Sequence, residues 1–263
     1  MEESNNVYIV DDLVCNLDDL IQKNQVQFKK KQKAYLKLKR AGDFVASLLA
    51  ITVLSPVFLG VYAAVKLESP NEKAIFKQKR LGKDLKPFWL YKFRSMKTGS
   101  PELGTSEFAN ADQYITKVGS FLRKTSLDEL PQLFCCLQGT MSLVGPRPLL
   151  GREEEMHFLR NYYGVYKVRP GITGLAQING RDEMGNYDKV RWDRTYVRNI
   201  SMQLDLKILL STVGKVLHHD GVVDGGKQVM VKSIAADQPL KKDDYNRTVE
   251  IYDKAMRGGR AKS

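Results

Sequence analysis

The chain has 263 residues and a formal net charge of +12, which gives length for one or two domains with a real core and a balance that seeks nucleic acid, anionic lipid or a phosphorylated substrate. Its three cysteines, Cys15, Cys135 and Cys136, form neither a disulfide framework nor zinc-ligand spacing, which excludes a stapled secreted scaffold and predicts a reduced, cytosolic setting. Residues 1–6 are polar and acidic where a signal peptide carries positive charge, so no secretory signal is expected there.

Val10, Leu13, Val14, Leu17, Leu20 and Ile21 recur at helical spacing with Asp11, Asp12, Asp18 and Asp19 between them, predicting an acidic amphipathic helix. The charge then reverses. Lys29, Lys30, Lys31, Lys33, Lys37, Lys39 and Arg40 crowd the approach to an apolar run, and each is worth roughly 1 kcal/mol near an anionic leaflet. That run, residues 44–65, reads FVASLLAITVLSPVFLGVYAAV with no charge. As one straight helix it would be about 33 Å long, enough for a hydrocarbon core of about 30 Å.

Two features point away from a single span. Ser55-Pro56 falls mid-segment, where proline costs a helix about 3 kcal/mol and frees the Thr52 carbonyl, with the Ser55 hydroxyl in reach of the freed backbone. Positive charge also flanks both sides, with Lys66, Lys73, Lys77, Lys79, Arg80, Lys83 and Lys86 after the run, so both ends are expected in the cytosol. The reading is a re-entrant helix-break-helix over 41–67 that dips into one leaflet. Asp43 at its mouth is expected to cap the first half, with Lys39 or Arg40 as alternative partners.

From residue 74 the texture is that of a soluble fold. Ile75-Phe76 and residues 87–93, separated by Gly-Lys-Asp, predict a β-hairpin, and period two sends Lys92 and Arg94 to one face. Residues 100–113 read as a polar loop, 114–122 and 151–163 as helices. Residues 168–181 are dense in glycine, with Arg169 and Arg181 near the ends, suited either to close approach of backbone N–H groups to a ligand or to turns. Helices follow around Trp192 and Tyr196 and through Leu206, Leu209, Leu210, Val213 and Leu217, the latter on one face. His218 and His219 lack metal-ligand spacing and read as helix-end surface. Residues 221–263 form a looser polar extension with one short helix over 244–256, ended by Gly258, and a disordered basic end.

The stretch that carries chemistry is residues 123–150, RKTSLDELPQLFCCLQGTMSLVGPRPLL. Asp128 and Glu129 follow the cations Arg123 and Lys124, and a Gly-Pro-Arg-Pro turn holds Arg147 on a stiff backbone. A carboxylate attacks phosphorus only when the repulsion between anions is cancelled by a metal and by cations such as arginine, which grips phosphate oxygens two at a time. The plainer reading is a capping box, Ser126 at N-cap and Glu129 at N3, worth about 1 kcal/mol. Pro131 fits better if the helix starts after it. The two readings are compatible.

Several motifs in register then resemble one family, the bacterial monotopic phosphoglycosyl transferases, or polyprenyl-phosphate sugar-1-phosphate transferases, in their small, core-only form. They are Lys39-Arg40 with Asp43, Ser55-Pro56, Phe76-Lys77-Gln78-Lys79-Arg80 with Gly82, Lys92-Phe93-Arg94-Ser95-Met96, residues 123–133, Gly145-Pro146-Arg147-Pro148 and residues 169–181. The resemblance implies transfer of a sugar 1-phosphate from a UDP-sugar to undecaprenyl phosphate with release of UMP. It also implies Asp128 as nucleophile, Glu129 as a ligand of Mg²⁺ and Arg123 as a phosphate contact. Arg147 and Arg94 would contact nucleotide or phosphates, and Lys92 and Arg169 complete the expected substrate-binding set. Where the family often has Asn-Val and Asp, this chain has Cys135-Cys136 and Thr140.

The resulting expectation is an α+β protein. Residues 1–40 would be an acidic helix and basic juxtamembrane segment, 41–67 the re-entrant helix broken at Ser55 and Pro56, 68–220 a mainly helical cytosolic catalytic domain with a small β-hairpin, and 221–263 the extension. Its setting would be the bacterial inner membrane, monotopic, against anionic inner-leaflet lipid, in the first membrane step of surface polysaccharide assembly. A homo-oligomer is compatible with the sequence. Basic residues spread along the chain without a nucleic-acid motif argue against nucleic acid. The rival readings are a membrane glycosyltransferase releasing UDP and a non-catalytic membrane-surface adaptor. Neighbouring helical carboxylates diverge by about 100°, which excludes the facing pair of a glycosidase.

Overall fold

The computed structural model describes residues 26–100, 111–151, 153–180, 184–217 and 240–260. The acidic helix expected over 10–21, Cys15, the middle of the 100–113 loop, Arg181 and the pair His218 and His219 lie outside the described residues.

Helix α1 (Lys30–Val53) joins the basic run and the first half of the apolar segment in one continuous element. Because it begins at Lys30, Asp43 cannot be an N-cap; it sits buried in mid-helix, accepts a hydrogen bond from Leu143 N (3.2 Å) and faces Lys39 Nζ at 3.8 Å. The expected alternative, a partner for Lys39, is the one realised. Helix α2 (Ser55–Glu68) follows after Leu54 alone, bent by 63° from α1. Pro56 lies in the first turn of α2, where its missing N–H leaves no helical bond unmade within α2. The Ser55 hydroxyl donates to Thr52 O (2.8 Å), the carbonyl that the proline leaves without its usual donor. No single described helix is long and apolar enough to cross a bilayer, while the bent pair reaches that length and composition together. Val45, Leu49, Val53, Leu59 and Tyr62 on the pair are exposed.

Strands β1 (Ile75–Leu81) and β2 (Pro87–Phe93) form the expected antiparallel hairpin, Ile75 opposite Phe93 and Leu81 opposite Pro87. Lys77 lies over the Tyr91 ring and Lys79 over Trp89 on one face. On the other, Phe88 and Leu90 pack against Cys135, Cys136 and Met141. Helix α3 (Lys117–Lys124) is capped by Thr116, whose hydroxyl accepts from Gly119 N (2.9 Å). The Glu68 carboxylate at the end of α2 accepts from Lys117 N (2.8 Å) and Val118 N (3.2 Å), an anion at a helix N-terminus that ties α2 to α3.

Beyond α4 (Gln132–Gln138) comes strand β3 (Ser142–Val144), then α5 (Glu154–Tyr162), β4 (Gly171–Thr173), α6 (Leu175–Ile178), α7 (Asn186–Arg198), α8 (Met202–Leu217) and α9 (Lys242–Arg260). Strands β3 and β4 pair in parallel, Ser142 with Gly171 and Val144 with Thr173, a second small sheet beyond the expected hairpin. At Gly171 a Cβ would stand 2.0 Å from Gly145 N, so this glycine serves the approach of two backbones.

Helix α8 carries its apolar residues on two sides, with Leu209 partly buried against the core. Leu204 and Ile208 enter the core, while Leu206, Leu210 and Val213 are exposed, because buried Asp205 is drawn inward by Lys39 and Tyr196. Helix α9 runs through Gly258 instead of ending there; Leu240 and Tyr245 pack with Leu159 and Tyr163 of and beside α5, and packing of an apolar face outweighs the roughly 1 kcal/mol cost of a helical glycine. The largest core cluster gathers Val144, Leu175, Tyr196, Val197 and Ile208, with Tyr35 and Leu36 of α1 against it. Val61 and Val65 of α2 pack with Phe93 and Leu122, each worth about 1.5–3 kcal/mol when fully buried. Both arms of the bent pair are thereby seated on the mixed helical and hairpin body.

Candidate active site

Between α3 and α4 the chain makes a 3-10 turn, Leu127–Glu129, entered through Ser126 in the left-handed region at φ 57°. Ser126 stands at the N-cap position of this turn, but in that conformation its side chain makes no cap bond. Helix α4 starts only after Pro131, as the proline suggested. The two carboxylates therefore project from a short turn instead of the flank of a long helix.

Lys92, near the end of β2, places Nζ 2.9 Å from Glu129 Oε1, and Arg147 places Nη2 3.1 Å from the same oxygen. Asp128 beside them is 8% exposed. Burial pushes the Asp128 carboxyl up; Lys92, Arg123 and Arg147 pull the other way without overcoming it, and the Glu129 charge adds to the rise. Burial acts in the same sense on Glu129, but Lys92 and Arg147 outweigh it and hold that carboxyl well below the usual range. Two adjacent carboxylates thus differ in character: cations in contact lower the proton affinity of Glu129, while burial raises that of Asp128.

Of the residues expected to bind substrate, Lys92, Arg147 and Arg123 gather here. Arg94 instead donates through Nε to Lys73 O (2.7 Å) and faces Glu72 at 3.9 Å. Arg169 donates to Gly139 O (2.7 Å) at the end of α4, where Arg40 also donates to Cys136 O (2.8 Å) and Leu137 O (2.9 Å). These cations meet the carbonyl end of α4, where positive charge is favourable. The turn at 145–150 has its own supports: Gly171 N donates to Pro146 O (2.9 Å), Arg160 Nη1 to Arg147 O (2.6 Å) and Arg80 Nη1 to Pro148 O (3.2 Å). Nothing in the periodicity of 151–163 marked Arg160 or His157 as loop supports, since each is an ordinary helical residue until the fold brings the turn beside it.

A family model described as bacterial sugar transferase matches residues 34–219. The chain belongs to the bacterial sugar transferase family. Among its relatives, the UDP-glucose:undecaprenyl-phosphate glucose-1-phosphate transferase of Escherichia coli (strain K12) is 45% identical over 185 residues, 68% of this chain and 40% of that protein. The UDP-N-acetylgalactosamine-undecaprenyl-phosphate N-acetylgalactosaminephosphotransferase of Aeromonas hydrophila is 36% identical over 209 residues, 76% of this chain and 48% of that protein. The exopolysaccharide production protein PSS of Rhizobium leguminosarum bv. phaseoli is 41% identical over 191 residues, 68% of this chain and 94% of that protein. The chain thus spans less than half the length of the first two and nearly all of the third.

The sugar transferase region contains every member of the carboxylate cluster, while α9 lies beyond it. Within that region Cys135 and Cys136 are buried, and burial pushes both thiols up, which keeps them protonated and apolar in character. Thr140 bonds back to Cys135 O (3.1 Å). Among the described residues no group of three His, Cys, Asp or Glu could hold a metal ion unaided. Glu129, the expected ligand, is of the class Mg²⁺ accepts, since that ion takes one or two carboxylates and completes its shell with waters and substrate phosphates.

Proposed function

We propose that this chain transfers a sugar 1-phosphate from a UDP-sugar to undecaprenyl phosphate, releasing UMP. The observation that carries the reading is the clasp of Lys92 and Arg147 on Glu129 immediately beside buried Asp128. Family membership and the names of the relatives support the same chemistry.

In this reading an Asp128 carboxylate oxygen attacks the sugar-bearing phosphorus. The bond from that phosphorus to the bridging oxygen breaks, UMP leaves with that oxygen, and an aspartyl phosphosugar remains. An oxygen of the lipid phosphate then attacks the same phosphorus and returns Asp128 as a carboxylate. Lys92, Arg123 and Arg147 offset the charge of the transferring phosphoryl group, where positioning and electrostatics supply nearly all the catalysis. Glu129, with Asp128 beside it, would hold Mg²⁺, which when bound neutralises phosphate charge.

The bent pair α1–α2 is read as a re-entrant wedge at the inner leaflet of a bacterial inner membrane, with the catalytic body in the cytosol. Its basic flanks, Pro56 and exposed apolar residues support this. Such an anchor holds the site at the headgroup plane where a lipid-borne phosphate lies.

The deciding experiment uses the purified chain, a panel of UDP-sugars and a short polyprenyl phosphate. One donor is expected to yield UMP and lipid-linked sugar phosphate, with release of UMP before lipid is added not exceeding one per active site. Release of UDP would move the reading to a glycosyltransferase, and no product with any donor would leave a membrane-surface adaptor.

A further inference from the structure

The segment that presents Arg147 is unusual in how its backbone is held. Pro146 and Pro148 contribute no N–H and fix φ, so the segment cannot join a sheet on both sides. Three of its carbonyl oxygens are instead taken by cations and a histidine from other elements, and Pro146 O by the Gly171 N–H. Arg160 Nη1 donates to Arg147 O (2.6 Å), Arg80 Nη1 to Pro148 O (3.2 Å), and His157 Nε2 meets Leu150 O (2.7 Å).

Arg160 is the most committed of these. It is 3% exposed, and its Nη2 lies 2.6 Å from Oδ2 of Asp193, itself 1% exposed, on α7. A buried ion pair of this kind is weak evidence for stability, since burial removes both charges from water. Its placement is specific, however: the Asp193 charge holds the Nη2 end by ion pairing, while Nη1 donates to the main-chain carbonyl of the very residue whose side chain reaches Glu129, and Nε has no hydrogen-bond partner among the described residues. Tilting that peptide would swing the Cα–Cβ direction of Arg147 and move its guanidinium off Glu129.

We propose that Arg160, oriented by Asp193, is a positioning residue that acts on phosphoryl transfer through Arg147. This rests on the phosphoglycosyl reading of the site. Displacement of a phosphate-binding group by about 1 Å can lower a rate by up to about 100-fold.

The test compares the full chain with Arg160→Gln, Arg147→Ala and the double variant, and with Arg160→Lys as the conservative change. Arg160→Gln is expected to lower kcat/KM for the UDP-sugar by roughly 10–100-fold, and Arg160→Lys to recover part of it. With Arg147 already alanine, Arg160→Gln is expected to change kcat/KM by less than about twofold, because residues acting through one another are not additive. Equal losses in both backgrounds, or a lower melting temperature with kcat/KM within about twofold of wild type, would overturn the proposal. If Arg160→Gln does not fold, Arg160→Lys and Asp193→Asn carry the same comparison. UDP binding by calorimetry on the same proteins separates the two claims. A wild type that binds UDP but turns over no donor rejects the reaction, and the UDP affinities then decide the positioning claim by the same non-additivity. A wild type that binds no UDP overturns both.

Discussion

Asp128 and Glu129 are neighbours in sequence yet respond to the fold in opposite directions, and that makes them separable by stability as well as by activity. The Asp128 carboxyl, raised by burial, binds its proton more tightly folded than unfolded. Its contribution therefore falls as pH rises from the ordinary carboxylate range through the raised pKa, and at neutral pH its charge destabilises the fold. Glu129 is the reverse: its stabilisation is present above its ordinary 4.5 and is lost only as pH falls through the depressed value. At pH 7 Asp128→Asn is expected to abolish UMP release while raising Tm, and Glu129→Gln to lower both rate and Tm, leaving Lys92 and Arg147 without their counter-ion. Shifts of roughly 2–4 °C per kcal/mol apply to a chain of this size. A helix-capping role alone would instead give similar losses of about 1 kcal/mol for either change. Differential scanning calorimetry of the two variants distinguishes these outcomes.

At the scale of the element, the bend between α1 and α2 was legible because proline and charge leave local marks. Pro56 lacks the N–H that would reach Thr52 O, and the Ser55 hydroxyl takes that carbonyl instead. What the sequence did not show is that α1 begins as early as Lys30, since a lysine run is compatible with helix or extended chain until Gln32 and Tyr35 find partners far along the chain. Pro56→Leu restores the missing donor and should straighten the pair toward a spanning helix. In cells, tags at Met1 and Ser263 are both expected to be protected from a reagent that cannot pass the inner membrane. In the Leu variant one end should become accessible, with activity lowered. Labelling of a single end in the unmodified chain would sink the re-entrant reading.

The whole molecule is joined where α1 meets α8. Asp205 accepts from Tyr35 and Lys39 through Oδ2, both at 2.6 Å, and from Tyr196 through Oδ1 at 2.9 Å. Val144 O on β3 lies 3.1 Å from the same Tyr196 hydroxyl and shares its one proton with Asp205, so the cluster links the basic helix, the parallel strand pair, α7 and α8. Removing one partner of a buried pair costs about 3–5 kcal/mol. Asp205→Ala should accordingly lower Tm by roughly 10 °C, read by thermal unfolding of the full chain. A shift under about 2 °C would show that the joint is dispensable.

Chain-local physics settled the helix break, the hairpin, the late start of α4 after Pro131 and the adjacency of Asp128 and Glu129, because each depends on residues a few positions apart. Tertiary structure decided the rest. It turned Asp43 from a cap into a core partner, showed Leu206 and Leu210 to solvent, extended α9 through Gly258 by packing it on α5, and brought Lys92 and Arg147 from 37 and 18 residues away onto one carboxylate oxygen. Periodicity identifies an apolar face but not which neighbour claims it, and a buried charge such as Asp205 can rotate a helix toward a cation that is distant in sequence. The opposite proton affinities of Asp128 and Glu129 have the same origin, for they follow from burial and from cations that only the folded chain assembles.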